Sequence, residues 1–149
     1  MTGTGHRRLV FRLEEIGFLL DLKDVVEIVE QISGLLDQQG SDLSRWIVAA
    51  FTFRETWIPA VDPAISLGMP CRTALQDKVA VVLKGSEGNW ALLVDRVEEL
   101  IADEGLLPCE LPFLLKNISG KLYSRIKLHN GEPLVVFEPE CYYGTAFAS

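Results

Sequence analysis

The sequence predicts a mostly β protein built from small barrels, with few short helical turns. Strand-length apolar stretches recur along the 149 residues, separated at high density by turn-forming residues. No long amphipathic helical pattern interrupts them. Residues 18–29 also align without a gap on residues 90–101, an offset of 72 positions (18 to 90). Leu20/Leu92, Val25/Val97 and Glu27/Glu99 are identical. Phe18/Trp90, Leu19/Ala91, Leu22/Val94, Ile28/Leu100 and Val29/Ile101 exchange one apolar residue for another. An apolar pattern held in register this way points to one structural unit used twice; chance likeness between short apolar strands is the alternative. Two similar β units leave a groove between them, and a groove is a place to bind.

Residues 1–7 read as a loose lead-in. Leu9, Phe11 and Leu13 then alternate with Arg8, Arg12 and Glu14, a half-buried strand whose polar side is broken by Val10. Glu15-Ile16-Gly17 supplies the turn into a return strand carrying Phe18, Leu20 and Leu22. Residues 24–29 continue extended, because Val25, Val26, Ile28 and Val29 are β-branched. Residues 34–44 form a polar loop with room for one helical turn. Residues 46–53 are the next strand, Glu55-Thr56 the turn, and residues 57–61 the way back. Pro59 lacks an N–H, which places that stretch at a sheet edge or on a bulge. Residues 63–74 are irregular, with a turn of helix at 64–67.

The second half repeats the style. Residues 79–83 form a strand, 85–89 a loop and 90–94 the return strand, which 97–101 extend. Residues 103–115 are loop-like around Pro108 and Pro112. Residues 118–128 lead into Asn130-Gly131, the strongest local hairpin signal in the chain. Residues 133–137 close the pattern, with Pro133 a loose parallel of Pro59 two positions out of step.

The length fits one compact domain or two very small lobes sharing a core. Apolar residues make up 48% and charged residues 23%, ordinary globular composition. A net charge of −7, with His6-Arg7-Arg8 as the sole basic cluster, disfavours nucleic acid and anionic membrane as partners. No apolar run follows that basic start, and the apolar runs at 47–51 and 79–83 are far too short to span a bilayer. The expectation is a cytoplasmic protein without direct membrane insertion. Cys71, Cys109 and Cys141 are odd in number and widely spaced, which fits free thiols and no disulfide framework.

Catalysis needs converging groups, and the sequence offers none. His6 lies in the lead-in and His129 beside a hairpin turn. Gly85-Ser86-Glu87-Gly88-Asn89 carries an acid and lacks the Gly-Lys-Ser/Thr ending of a phosphate loop. Glu14-Glu15 and Glu98-Glu99 are neighbours on extended chain and point to opposite faces. Metal-ligand spacing is absent. The expectation is no catalytic residue, no metal and no cofactor.

The segment that stands out is residues 51–62, which combines Arg54 at a hairpin tip, Trp57 just beyond the turn and the proline-bearing strand. Arg and Trp are enriched at interface hot spots, and an edge strand offers backbone groups to a partner. Those residues alone leave two readings open: a docking surface, or Trp57 and Ile58 packed under the loop with Arg54 solvated.

Here the chain resembles a family. Arg54, Pro59 and Asp62 are spaced like the Asn-Leu-Arg-Gly-x-x-x-Pro-x-x-Asp core of CheW-like domains, the chemotaxis coupling proteins and the regulatory domain of their histidine kinase. Leu9-Val10-Phe11-Arg12-Leu13 resembles the family's opening strand. Asp21-Leu22-Lys23-Asp24-Val25-Val26-Glu27-Ile28 is similar to its acidic Val-x-Glu-Ile stretch, and Leu93-Val94-Asp95-Arg96-Val97-Glu98-Glu99-Leu100 to its Val-Val-Asp-x-Val-x-x-Val. Ile118-Ser119-Gly120 sits where the family has an apolar residue and Gly before the last hairpin.

The resemblance implies two intertwined five-stranded SH3-like barrels in a single domain over residues 8–140, with 1–7 and 141–149 peripheral. It implies a non-enzymatic adaptor that couples a chemoreceptor to a histidine kinase. The kinase regulatory domain would dock on a surface of Arg54, Trp57, Pro59 and Asp62. The chemoreceptor's cytoplasmic tip would lie in an apolar groove lined by Val25, Val97 and Leu100. Three positions depart from the family pattern: Thr52 replaces Asn, Glu55 replaces the Gly after Arg54, and Ala49 replaces another Gly. Glu55 stands where φ > 0 is expected and beside Arg54, which it would neutralise. Two other readings stay open: a diverged member serving another two-component array without standard kinase docking, and a small-molecule-binding β-barrel using Trp46, Trp57 and Trp90 as an aromatic pocket.

Overall fold

The computed structural model describes residues 7–42, 47–69, 72–109 and 126–139. In the first half the strands are β1 (Arg7–Leu13), β2 (Ile16–Asp21), β3 (Val25–Val29), β4 (Leu36–Asp37), β5 (Ile47–Phe53) and β6 (Thr56–Val61). The second half supplies β7 (Val79–Leu83), β8 (Trp90–Val94), β9 (Arg96–Ala102), β10 (Leu107–Cys109), β11 (Ile126–His129) and β12 (Glu132–Val136). A single turn of helix, α1 (Pro63–Ser66), follows β6; the Asp62 side chain caps it and Pro63 starts it.

One sheet has the order β10-β11-β12-β2-β1-β9 and the other β4-β5-β6-β8-β7-β3. Advancing every strand by six, cyclically, converts the first order into the second, so the repeat seen in the sequence is a repeat of topology. The register agrees residue by residue. Leu9 faces Leu20 and Phe11 faces Phe18 in the first hairpin; Val81 faces Leu92 and Leu83 faces Trp90 in its twin. Leu100 and Val97 pair with Leu9 and Phe11, as Ile28 and Val25 pair with Val81 and Leu83. Both edge ladders slip at the same place, opposite Glu98 in one and Val26 in the other. Each sheet carries a short sixth strand, β4 or β10, and the halves exchange strands as intertwined barrels must.

The alternation along the central strands sorts the core into three layers. Leu9, Phe11, Leu13, Phe18 and Leu20 meet Val81, Leu83, Trp90, Leu92 and Val94 in one cluster between the lobes. The opposite faces of those strands fill the individual lobes: Val10, Leu19, Leu134 and Val136 in one, Ala80, Val82, Ala91, Leu93, Phe51 and Phe53 in the other. Val10, which breaks the polar side of β1, therefore enters the first lobe's own core. Strands buried on both faces read as continuous apolar runs, which is why 79–83 and 90–94 carry no polar alternation. Leu20 and Leu92 are both fully buried in the shared layer.

Several local expectations need correction. Residues 24–29 and 97–101 do not prolong the strands before them. The chain bends at a 3-10 turn over Leu22–Asp24, where the Asp21 side chain accepts from Lys23 N at 3.1 Å, and at Asp95, then crosses to the other sheet. Strand propensity cannot report such a bend, because both sides of it are extended. The first hairpin turns at Glu14-Glu15, one residue earlier than expected, with Glu14 at φ 55°. Gly17 lies in β2 and serves a close approach: a Cβ there would collide with Leu134 and with the Arg12 guanidinium passing over it. The polar loop at 34–44 holds β4 and a 3-10 turn over Gln38–Gly40. The expected segment 118–128 lies outside the described residues up to 125.

Candidate functional site

The β5–β6 hairpin closes through Phe53 and Thr56, so its two-residue turn is Arg54-Glu55 and not Glu55-Thr56. Both residues have positive φ, 51° and 65°. The twin hairpin closes through His129 and Glu132 around Asn130-Gly131, with φ 52° and 84°. Type I′ turns need this conformation, and Asn-Gly supplies it cheaply where Arg-Glu cannot. Glu55 is thus held in a strained position, as its departure from glycine implies. The Arg54 guanidinium lies 4.7 Å from the Phe53 ring centroid, and Nη2 donates to Glu27 Oε1 at 3.1 Å. Glu27 of β3, and not Glu55, is therefore the anion that engages Arg54. Both side chains are solvent-exposed, so the pair contributes little stability.

Phe51, Phe53, Ile58 and Ala60 point into the lobe, which turns Thr52, Trp57 and Pro59 outward. Trp57 is 58% exposed. Pro59 pairs with Ala50 at a position where, counting from the two-residue turn, β5 asks for no hydrogen bond. On its other side β6 meets β8 at Ala60 and Val61, so β6 is an interior strand. The ladder slips at Val48 and not at Pro59, and the expected edge or bulge is not found. Pro59 is tolerated because its missing N–H falls beyond the part of β6 that pairs with β8. Pro133 is equivalent to Trp57, not to Pro59, since each lies one residue beyond the first pair of its hairpin.

Asp62 does not belong to this surface. It is 3% exposed; Oδ1 accepts from Ala64 N at 3.0 Å and Oδ2 from Lys78 Nζ at 3.0 Å. Lys78, 1% exposed, also lies 3.4 Å from Asp95 Oδ1. Asp95 Oδ2 accepts in turn from Glu14 N at 2.6 Å. Burial alone would push the Lys78 ammonium down, but Asp62 and Asp95 outweigh it and hold its pKa above the ordinary lysine value. A motif aspartate read as a docking residue is a structural ion.

Val25 and Val97 occupy equivalent places on β3 and β9, each the edge strand of its sheet, and both pack half-buried on the shared core. Leu100 is 46% exposed. Its twin, Ile28, is half-buried on the same core; both the aligned repeat and the Val-x-Glu-Ile motif contain this residue, but the expected groove of Val25, Val97 and Leu100 left it out. The hairpin and Val25 belong to one sheet, Val97 and Leu100 to the other.

Close to these edge strands, Arg12 ties β1 to β9 and β12. Its Nε donates to Glu98 Oε1 at 2.8 Å, and its Nη1 and Nη2 reach the two oxygens of Glu132, the latter at 2.9 Å. Hydrogen bonds from Arg12 hold both carboxyls below the usual glutamate range, and Arg96 assists at Glu98. Trp57 and Trp90 do not share a pocket, since Trp90 is buried in the shared core and Trp57 stands outside; Trp46 lies outside the described residues. Two cavities of about 380 and 250 Å³ sit around Leu75 and Gln38, and neither is lined by Trp57 or Trp90.

The family model described as "CheW-like domain" matches residues 7–140. The scaffolding protein TtCheW from Thermoanaerobacter tengcongensis superposes with a TM-score of 0.74 at 20% identity, covering 93% of this chain and 92% of that one. At that identity the likeness speaks for the fold. A search of curated protein sequences returned no match.

Proposed function

The chain belongs to the CheW-like domain family, whose members are non-catalytic scaffold proteins of chemotaxis signalling, and from that premise we propose that it couples a chemoreceptor to a histidine kinase in the cytoplasm. No helix among the described residues is long and apolar enough to cross a membrane. The functional unit starts one residue earlier than the expected residue 8, at Arg7, which opens β1 and pairs with Ala102, and runs to residue 140.

The kinase regulatory domain docks on the outer face of the β5–β6 hairpin. The observation that carries this assignment is Trp57, a large aromatic side chain left 58% exposed beside Arg54 and on the open part of β6. Exposed Trp and Arg on a rigid hairpin are the anchors expected of a protein interface. Asp62 supports this face from beneath by fixing the end of β6. The receptor's cytoplasmic tip, a helical hairpin, lies against Val25, Val97 and Leu100, where β-branched side chains give an apolar wall of fixed shape. The supporting observations are the half-burial of both valines and the exposure of Leu100.

A second reading is favoured by the strained Glu55 and by the engagement of Arg54 with Glu27: the same fold serving an array in which this hairpin does not dock a kinase. Titrating the chain with a purified histidine-kinase regulatory domain separates the two. Saturable binding lost on Trp57→Ala supports the coupling role; no binding by the unmodified chain supports the second reading.

A further inference from the structure

The buried ion cluster presents nothing to a partner, yet it touches the elements that carry both proposed surfaces. Lys78 lies one residue before β7 and bonds Asp62 at the end of β6, the strand of Trp57 and Pro59. It also reaches Asp95 at the bend before β9, the strand of Val97 and Leu100. Each carboxylate holds a second donor from another segment, Ala64 N on α1 and Glu14 N in the β1–β2 turn. Contacts of charged groups thus run from the docking hairpin of one sheet to the edge strand and first hairpin of the other.

The repeat does not reproduce every member of this cluster. By the repeat, the position equivalent to Asp95 is Lys23, and the Lys23 side chain is 69% exposed. The Asp95 carboxylate, which reaches Lys78, therefore has an exposed lysine as its counterpart in the other half. The layer between the lobes is apolar, and apolar burial is strong but non-directional. Buried ions add little net stability against an apolar replacement, and their best-attested use is to fix register.

We propose that Lys78 is a positioning residue, which through Asp62 and Asp95 fixes the orientation of one lobe on the other and so the relative placement of the two docking surfaces. The identity of the partners rests on the coupling role above; the lobe orientation does not.

The test uses the full chain, with residual dipolar couplings to report lobe orientation and titrations with a kinase regulatory domain and a receptor-tip fragment. The unmodified protein gives one alignment tensor for both lobes. Asp62→Asn/Lys78→Met/Asp95→Asn, which removes all three charges together, is expected to melt within a few degrees of it. That variant should nonetheless give two distinct tensors and bind each partner at least tenfold more weakly. A single tensor with unchanged affinities overturns the proposal. Should the triple variant not fold, Asp95→Asn serves: Lys78 keeps Asp62, and the amide oxygen still accepts from Glu14 N. Distinct tensors in that variant support the proposal, and a wild-type tensor overturns it. Distinct tensors together with an unmodified chain that binds neither partner uphold the positioning role and remove the coupling role.

Discussion

Replacing Glu55 by glycine should stabilise this protein. Glu55 has φ 65° in an exposed two-residue turn, a conformation that sets a side chain's Cβ against the following carbonyl at a cost of about 1–2 kcal/mol. Glycine removes that term but loses more chain entropy on folding, about 0.5–1 kcal/mol. The side chain contributes no burial. The net expectation for Glu55→Gly is about 0.5–1 kcal/mol of added stability, or a Tm about 1–4 °C higher for a chain of this length. The twin turn supplies the reverse experiment. Gly131 has φ 84° and nothing near the place of its missing Cβ, so Gly131→Ala should destabilise through backbone strain alone, by about 1 kcal/mol. Thermal melts followed by circular dichroism read both changes. A Tm that falls by several degrees in Glu55→Gly would show that Glu55 makes a favourable contribution in place, and the strain argument would be wrong.

Three further outcomes follow from the geometry. Leu100→Asp, at an exposed position, should leave the melt almost unchanged and weaken receptor-tip binding more than tenfold, whereas Val97→Asp should lower Tm as well, because Val97 packs on the shared core; equal melts for the two would contradict the burial assignment. Lys78→Met alone strands the buried Asp62 carboxylate and the largely covered Asp95 and should cost about 3 kcal/mol, unlike the fully neutral triple variant; a wild-type denaturant midpoint would show that water reaches the cluster. Glu98 and Glu132 have folded pKa values below the ordinary glutamate value, so their stabilising contribution is present above that value and disappears as pH falls through the folded one. Tm should therefore drop less between pH 5 and pH 3 in Arg12→Met than in the unmodified chain, and parallel profiles would exclude the Arg12 pairs as its source.

The repeat was the most legible feature of the chain, because apolar register survives where identity does not: Phe18/Trp90 and Ile28/Leu100 keep their places on two sheets. Asn130-Gly131 was legible for a local reason, since those residue types favour the backbone their turn needs. Arg54-Glu55 adopts the same turn against its own preference, and sequence reading placed the turn one residue late. The crossing of β3 and β9 between sheets was hidden because a bend between two extended segments leaves no periodic trace. Asp62 was misread because a motif shows spacing and not depth. An acid after an expected edge strand reads as surface until its buried partners, Lys78 by ion pairing and Ala64 by its N–H, are seen in space.

The proposed coupling role requires one chain to hold a kinase and a receptor at once, on separate surfaces. Native mass spectrometry of the chain mixed with a kinase regulatory domain and a receptor-tip fragment tests it most directly. The expected result is a ternary complex that loses the kinase alone in Trp57→Ala and the receptor fragment alone in Leu100→Asp. Two binary complexes that exclude one another, or no complex at all, would contradict it.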